Sequence, residues 1–267
     1  MSDDDRIRAE VHAISDLDGT VRAAILAGRP IDPHLADRVK LLDFSDRMDL
    51  IDLGFVATLP RLRSLDLTGT GVRDLAPLAG ARQLERLILM RTAVDDLSPL
   101  AHLSALAELN IDRTAVTDLS PLAGSTTLRR LDIGETPIGD LAQLGVLPQL
   151  TVLDIGTAPA LRRLDLTGFP GLETLVGVMV GDATLWPAEF PTTLRELIIG
   201  HAAWPAGRPL PDLPRMITPD WRAIDDGGPC SDPFEFWRMV CRAEDEDEAV
   251  RSTASTDEPD ATGHRGG

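Results

Sequence analysis

Four aspartates, Asp74, Asp96, Asp118 and Asp140, recur every 22 residues, each directly before a leucine (Leu75, Leu97, Leu119, Leu141). A carboxylate column at fixed pitch suits two chemistries. One is a ladder of calcium ions, which take oxygen ligands. The other is repeated capping of backbone N–H groups in turns, where a short Asp side chain reaches its own backbone two residues on. These aspartates lie where the chain must bend, and that phase favours capping. Other reactive groups are sparse. The histidines (His12, His34, His102, His201, His264) are dispersed, and Cys230 and Cys241 have no Cys-x-x-Cys spacing. The spacing predicts no metal site and no disulfide framework. There is no Gly-x-x-x-x-Gly-Lys loop for phosphate and no Gly-x-Ser-x-Gly nucleophile elbow. No catalytic residue and no cofactor are expected, and the chain reads as a non-enzyme.

Two short motifs stand apart from the rest. Asp16-Leu17-Asp18-Gly19-Thr20 resembles the first motif of the haloacid dehalogenase-like phosphatases. That resemblance implies Asp16 as nucleophile and Asp18 as acid. The chemistry would need a buried strand before the motif, a downstream lysine and acids for magnesium. Ala13-Ile14-Ser15 makes a poor strand, and the only lysine, Lys40, is too near in sequence. A turn between two cap helices accounts for the motif, and a phosphatase is the alternative from the enzyme class. The terminal Arg265-Gly266-Gly267 resembles the tail of ubiquitin-like modifiers, without a ubiquitin-like pattern upstream.

What must position any functional residue is the repeat, since internal periodicity decides the fold. Leu62 recurs at 84, 106, 128, 150, 172 and 194. Three residues on, Leu65 recurs at 87, 109, 131, 153, 175 and 197; then come Leu67, Leu89, Ile111, Ile133, Ile155 and Ile199, with Gly177 the one break. In the second half of the unit Thr70, Thr92, Thr114 and Thr136 align, as do Val72, Val94, Val116 and Ile138. Pro77, Pro99 and Pro121 precede Leu78, Leu100 and Leu122. Leu-x-Leu alternation predicts a short strand with one face in. The proline half is too short and interrupted for a long helix, so a tight turn or 3-10 segment brings the chain back. One such unit cannot bury its own apolar face, and stacking on neighbours is required.

This pattern, Leu-x-x-Leu-x-Leu-x-x-Thr-x-Val-x-Asp-Leu-x-Pro-Leu, resembles the 22-residue leucine-rich repeat of the bacterial internalins and of similar phosphatase regulatory subunits, over residues 59–200. It implies an α/β, right-handed solenoid with a parallel sheet on the concave side, short turns on the convex side, and helical caps at both ends. It also implies protein recognition on the concave sheet. Thr70, Thr92, Thr114 and Thr136 replace the family's usual asparagine, whose place in the turn a hydroxyl fills in part. Residues 161–166, Leu-Arg-Arg-Leu-Asp-Leu, repeat the strand pattern half a period out of step and predict strands on the opposite side of the coil.

If Leu65 and Leu67 point in, three columns point out. They run Ser64, Arg86, Glu108, Arg130, Val152, Thr174, Glu196; then Asp66, Ile88, Asn110, Asp132, Asp154, Val176, Ile198; then Thr68, Met90, Asp112, Gly134, with Arg91 and Arg113 alongside. The expected partner-binding residues are Asp66, Arg86, Ile88, Met90, Arg91, Asn110, Asp112, Arg113, Arg130, Asp132 and Asp154. Ile88 and Met90 would form an apolar centre with an arginine rim, the composition of a protein-binding hot spot. Asp132 and Asp154 would form an acidic patch suited to a basic partner segment.

The ends follow from the need to cover a solenoid's terminal cores. Residues 1–58 read as a helical cap with a degenerate repeat, one helix carrying Ile7, Val11 and Ile14 and a second Leu35, Val39 and Leu42. Residues 201–242 read as a loop followed by a capping helix from Asp232, and 243–267 as a disordered acidic tail. A net charge of −17 argues against nucleic acid and anionic membranes as partners. With an acidic start at Asp3-Asp4-Asp5 and no long apolar run, a cytoplasmic monomer with a protein partner is expected. The remaining alternative is an effector acting on a host or competitor protein after non-classical secretion.

Overall fold

The computed structural model describes residues 19–177, 187, 189–199 and 215–217. All lie in one compact unit, Met1–Pro219; the second, Asp220–Gly267, falls outside the described residues. Residues 19–26 form a helix, α1, followed by the single turn α2 (Pro33–Ala36). Among the described residues nine strands follow: β1 (Leu41–Asp43), β2 (Ser64–Asp66), β3 (Arg86–Ile88), β4 (Glu108–Asn110), β5 (Arg130–Asp132), β6 (Val152–Asp154), β7 (Thr174–Gly177), β8 (Glu196–Ile199) and β9 (Arg215–Ile217). They make one parallel sheet in sequence order, β1 to β9. Equivalent leucines stack in register, Leu65 on Leu87, Leu87 on Leu109, Leu109 on Leu131.

The first five returning halves each contain a 3-10 turn: Gly54–Thr58, Ala76–Gly80, Ser98–Leu100, Ser120–Leu122 and Ala142–Leu144; the return from β6 to β7 does not. Proline opens three of these at a position whose N–H the helix does not use. The recurring aspartate caps the turn. Asp74 Oδ1 accepts from the Ala76 N–H at 2.8 Å, and Asp96, Asp118 and Asp140 repeat the bond to Ser98, Ser120 and Ala142. Among the described residues no group of three or more His, Cys, Asp or Glu is placed to hold a metal ion. The buried threonines hold the bend after each strand: Thr114 Oγ1 donates to the Ile111 carbonyl at 2.7 Å, as Thr70, Thr92 and Thr136 do to Leu67, Leu89 and Ile133.

The aliphatic columns form one continuous core from Val21 to Leu197. Its N-terminal end departs from expectation in two ways. Val39 and Leu42 are buried, but Leu42 lies in β1, paired to Leu65, rather than on a second helix. Burying them beside an exposed sheet edge extends the ladder by one strand, which a helix cannot do. Gly19 and Thr20 are already helical, not a turn; Asp16 and Asp18, and the stripe Ile7, Val11, Ile14, lie outside the described residues. The first coil is also one residue longer, since Leu42 pairs with Leu65 at a spacing of 23. The surplus falls at 47–49, where Met48 is pushed out to 80% exposure.

Two further expectations change. Residues 161–166 contain no strand, although Leu161, Leu164 and Leu166 are buried. Burial there is by the coil's apolar side, and a strand would need a ladder partner that the neighbouring convex turns do not offer. In the segment read as loop, Arg215–Ile217 adds β9 to the edge of β8. The capping helix expected from Asp232 and the acidic tail lie outside the described residues. Among the described residues no helix is long and apolar enough to cross a membrane.

Candidate functional site

The sheet's outward face carries the residues singled out by phase, and their surroundings differ along the chain. The second outward column holds Asp43, Asp66, Asn110, Asp132 and Asp154, broken by Ile88. Its polar members do the same thing in each coil, where Oδ1 accepts the N–H two residues on. Asp43 takes Ser45, Asp66 takes Thr68, Asn110 takes Asp112, Asp132 takes Gly134 and Asp154 takes Gly156, at 2.8–3.0 Å. An acid or amide is selected here because the chain leaves the strand into a bend and its N–H groups need an acceptor. Ile88 has no such atom and lies half-buried in that column.

The third column is not a free surface. Met90, expected at the centre of an exposed apolar patch, is only 3% exposed, and Thr68 before it is likewise buried. Met90 begins the bend after β3, not the strand itself. Coils about 4.8 Å apart leave a long side chain little room to stand clear of its neighbours. The apolar centre therefore reduces to Ile88. At the far end Val176 and Ile198, also in an outward column, are buried.

The arginines of the expected rim are engaged with neighbouring coils. Arg86 Nη1 lies 3.4 Å from Glu108 Oε2. Arg113 grips Glu135 through two bonds of 2.9 and 2.7 Å. Arg91 reaches past one coil to Asp46 at 3.0 Å. It can do so because Gly69 stands between them: a Cβ there would sit 2.9 Å from Asp46 Oδ1. Asp46, Gly69, Arg91, Arg113 and Glu135 all take positive φ, from 47° to 64°. This left-handed column turns each bend, and the sequence does not disclose it because only Gly69 and, more weakly, Asp46 are of types that favour such backbone, while Arg91, Arg113 and Glu135 are not.

The structure brings three carboxylates together on β4–β6 and the bends after them. Asp132 and Asp154 pair in register across β5 and β6, and both are buried. Asp112 leans over Gly134, where a Cβ would meet its Oδ1 at 2.7 Å; a Cβ on Gly156 would meet Gly134 Cα at 2.8 Å. The two glycines thus leave the floor beside the acids without side chains. Asn110 Nδ2 donates to Asp132 Oδ2 at 2.7 Å, so Asp132 uses both oxygens. Burial pushes the Asp112 carboxyl up to about 7; Arg113 opposes this, while Glu135 and Asp154 add to it. Asp132 is raised well above the usual carboxylate range, first by burial and then by Asp154 and Asp112, with Gly134 N–H and Arg130 pulling the other way. The expected acidic patch of Asp132 and Asp154 therefore includes Asp112 and is sunk into the face.

No protein-family model matches the chain, and no curated protein matches it. Solved structures do. Internalin C2 of Listeria monocytogenes superposes with a TM-score of 0.60 at 23% identity, over 76% of this chain and 91% of that one. An internalin of the same organism, InlF, gives 0.44 at 24% identity over 64% and 58%. The functional domain of its InlJ gives 0.44 at 18% over 64% and 41%. Together with the register of the nine strands, the first of these establishes the architecture. The chain is a leucine-rich-repeat solenoid built from 22-residue repeats of the internalin type.

Proposed function

We propose that this chain is a non-catalytic binding scaffold or regulatory subunit that holds a protein partner on the outward sheet face between β2 and β6. One observation carries the reading. Three carboxylates, Asp112, Asp132 and Asp154, lie side by side in an outward face, Asp132 and Asp154 buried and Asp112 half-buried; Asn110 caps its bend with an amide, so capping alone does not require acids at 132 and 154. Arg113 lies 3.9 Å from Asp112, and Arg130 acts on Asp132, so the face presents acids and arginines together, which a partner segment of complementary charge can match. Arg86, Ile88, Asn110 and Arg130 flank the acids on the same strands or the next, which gives the mixed polar and apolar rim that protein interfaces use. Asp66, Arg91 and Arg113 complete the proposed contact set, while Met90 supports it from beneath.

The test is affinity capture with three purified, folded forms: wild type, an Arg86→Glu, Ile88→Ser face variant, and an Arg73→Glu variant altered on the flank. Support is a protein held by wild type and flank variant, lost by the face variant, and bound again when both components are pure. Equal capture by all three forms would remove the outward face from the function. Capture that tracks net charge alone would reduce the interaction to general attraction by an acidic protein.

A further inference from the structure

We draw no further inference here: the strongest candidate, the cavity of about 400 Å³ between α1 and the Gly54–Thr58 turn lined by Leu26, Ile31, Phe55, Arg29, Asp49 and Asp52, is an open hollow of mixed polar and apolar lining at the N-terminal end of the solenoid, and nothing in the structure shows what covers it.

Discussion

Replacing Asp112 by Asn should stabilise the protein at pH 8, and by less than half as much at pH 5. The carboxyl rises from an ordinary 3.8 to about 7 on folding. A group raised in this way binds its proton more tightly in the folded state. Its contribution therefore falls as pH climbs from about 4, through the unfolded value, to about 7, and the full penalty holds above that. Each tenfold change in proton affinity is worth about 1.4 kcal/mol, so the whole rise corresponds to about 4 kcal/mol. The Asp112 side chain keeps 14% of its surface exposed and opens to water over Gly134, so screening reduces this to about 2 kcal/mol. Asn keeps the shape and removes the charge facing Asp132 and Asp154. Urea unfolding followed by circular dichroism at pH 5, 6, 7 and 8, at constant ionic strength, measures the difference. Asp49, Asp96 and Asp165 are held below the usual carboxylate range, by the Arg47, Ser98 and Thr167 side chains respectively. Their contributions are lost only as pH falls through that lower range, outside this window. Wild-type stability that is flat or rising from pH 5 to 8 would refute the reasoning. So would an Asp112→Asn protein that gains nothing at pH 8. Because Asp112, Asp132 and Asp154 interact, the proton released belongs to the cluster, and a direct titration should show broadened, shared transitions.

Other substitutions test the frame that holds this face. Gly168→Ala should cost about 3 kcal/mol by overpacking, because its Cβ would press on the Gly145 carbonyl, which is backbone and cannot swing aside; a melting temperature unchanged from wild type would contradict the stacking of these two coils. Thr114→Val should lose about 1 kcal/mol, since the Ile111 carbonyl loses its buried donor, and Thr114→Ser should restore most of it. Leu109→Ala, in the middle of the stacked leucines, should lose roughly 3 kcal/mol in denaturant unfolding. Arg113→Ala should change stability by no more than about 1 kcal/mol, since its pair with Glu135 is solvent-exposed; a larger loss would mean that the left-handed residue does more than turn the bend.

The amino-acid order by itself determined the solenoid. A 22-residue period places Leu65, Leu87, Leu109 and Leu131 at one phase, and a strand and a turn too short to bury their own apolar sides can only stack. The capping aspartates and hydroxyls were legible for the same reason: their bonds are local, two or three residues along the chain, and need no knowledge of neighbours. A helix carrying Val39 and Leu42 is the wrong expectation because burial of two aliphatics does not distinguish a helix face from an added edge strand, whereas the ladder to Leu65 does. The interaction face was legible only as a set of directions. Phase put Met90 and Asp132 outward, but whether an outward side chain meets water depends on the next coil, one period away in sequence and about 4.8 Å away in space. That distance buries Met90, pairs Arg91 with Asp46 across Gly69, and sets Asp112 above the bare backbone of Gly134. A periodic pattern states which residues share a column. Only the packed coils decide how much of each column water can reach, and so which carboxylates hold their protons near neutrality.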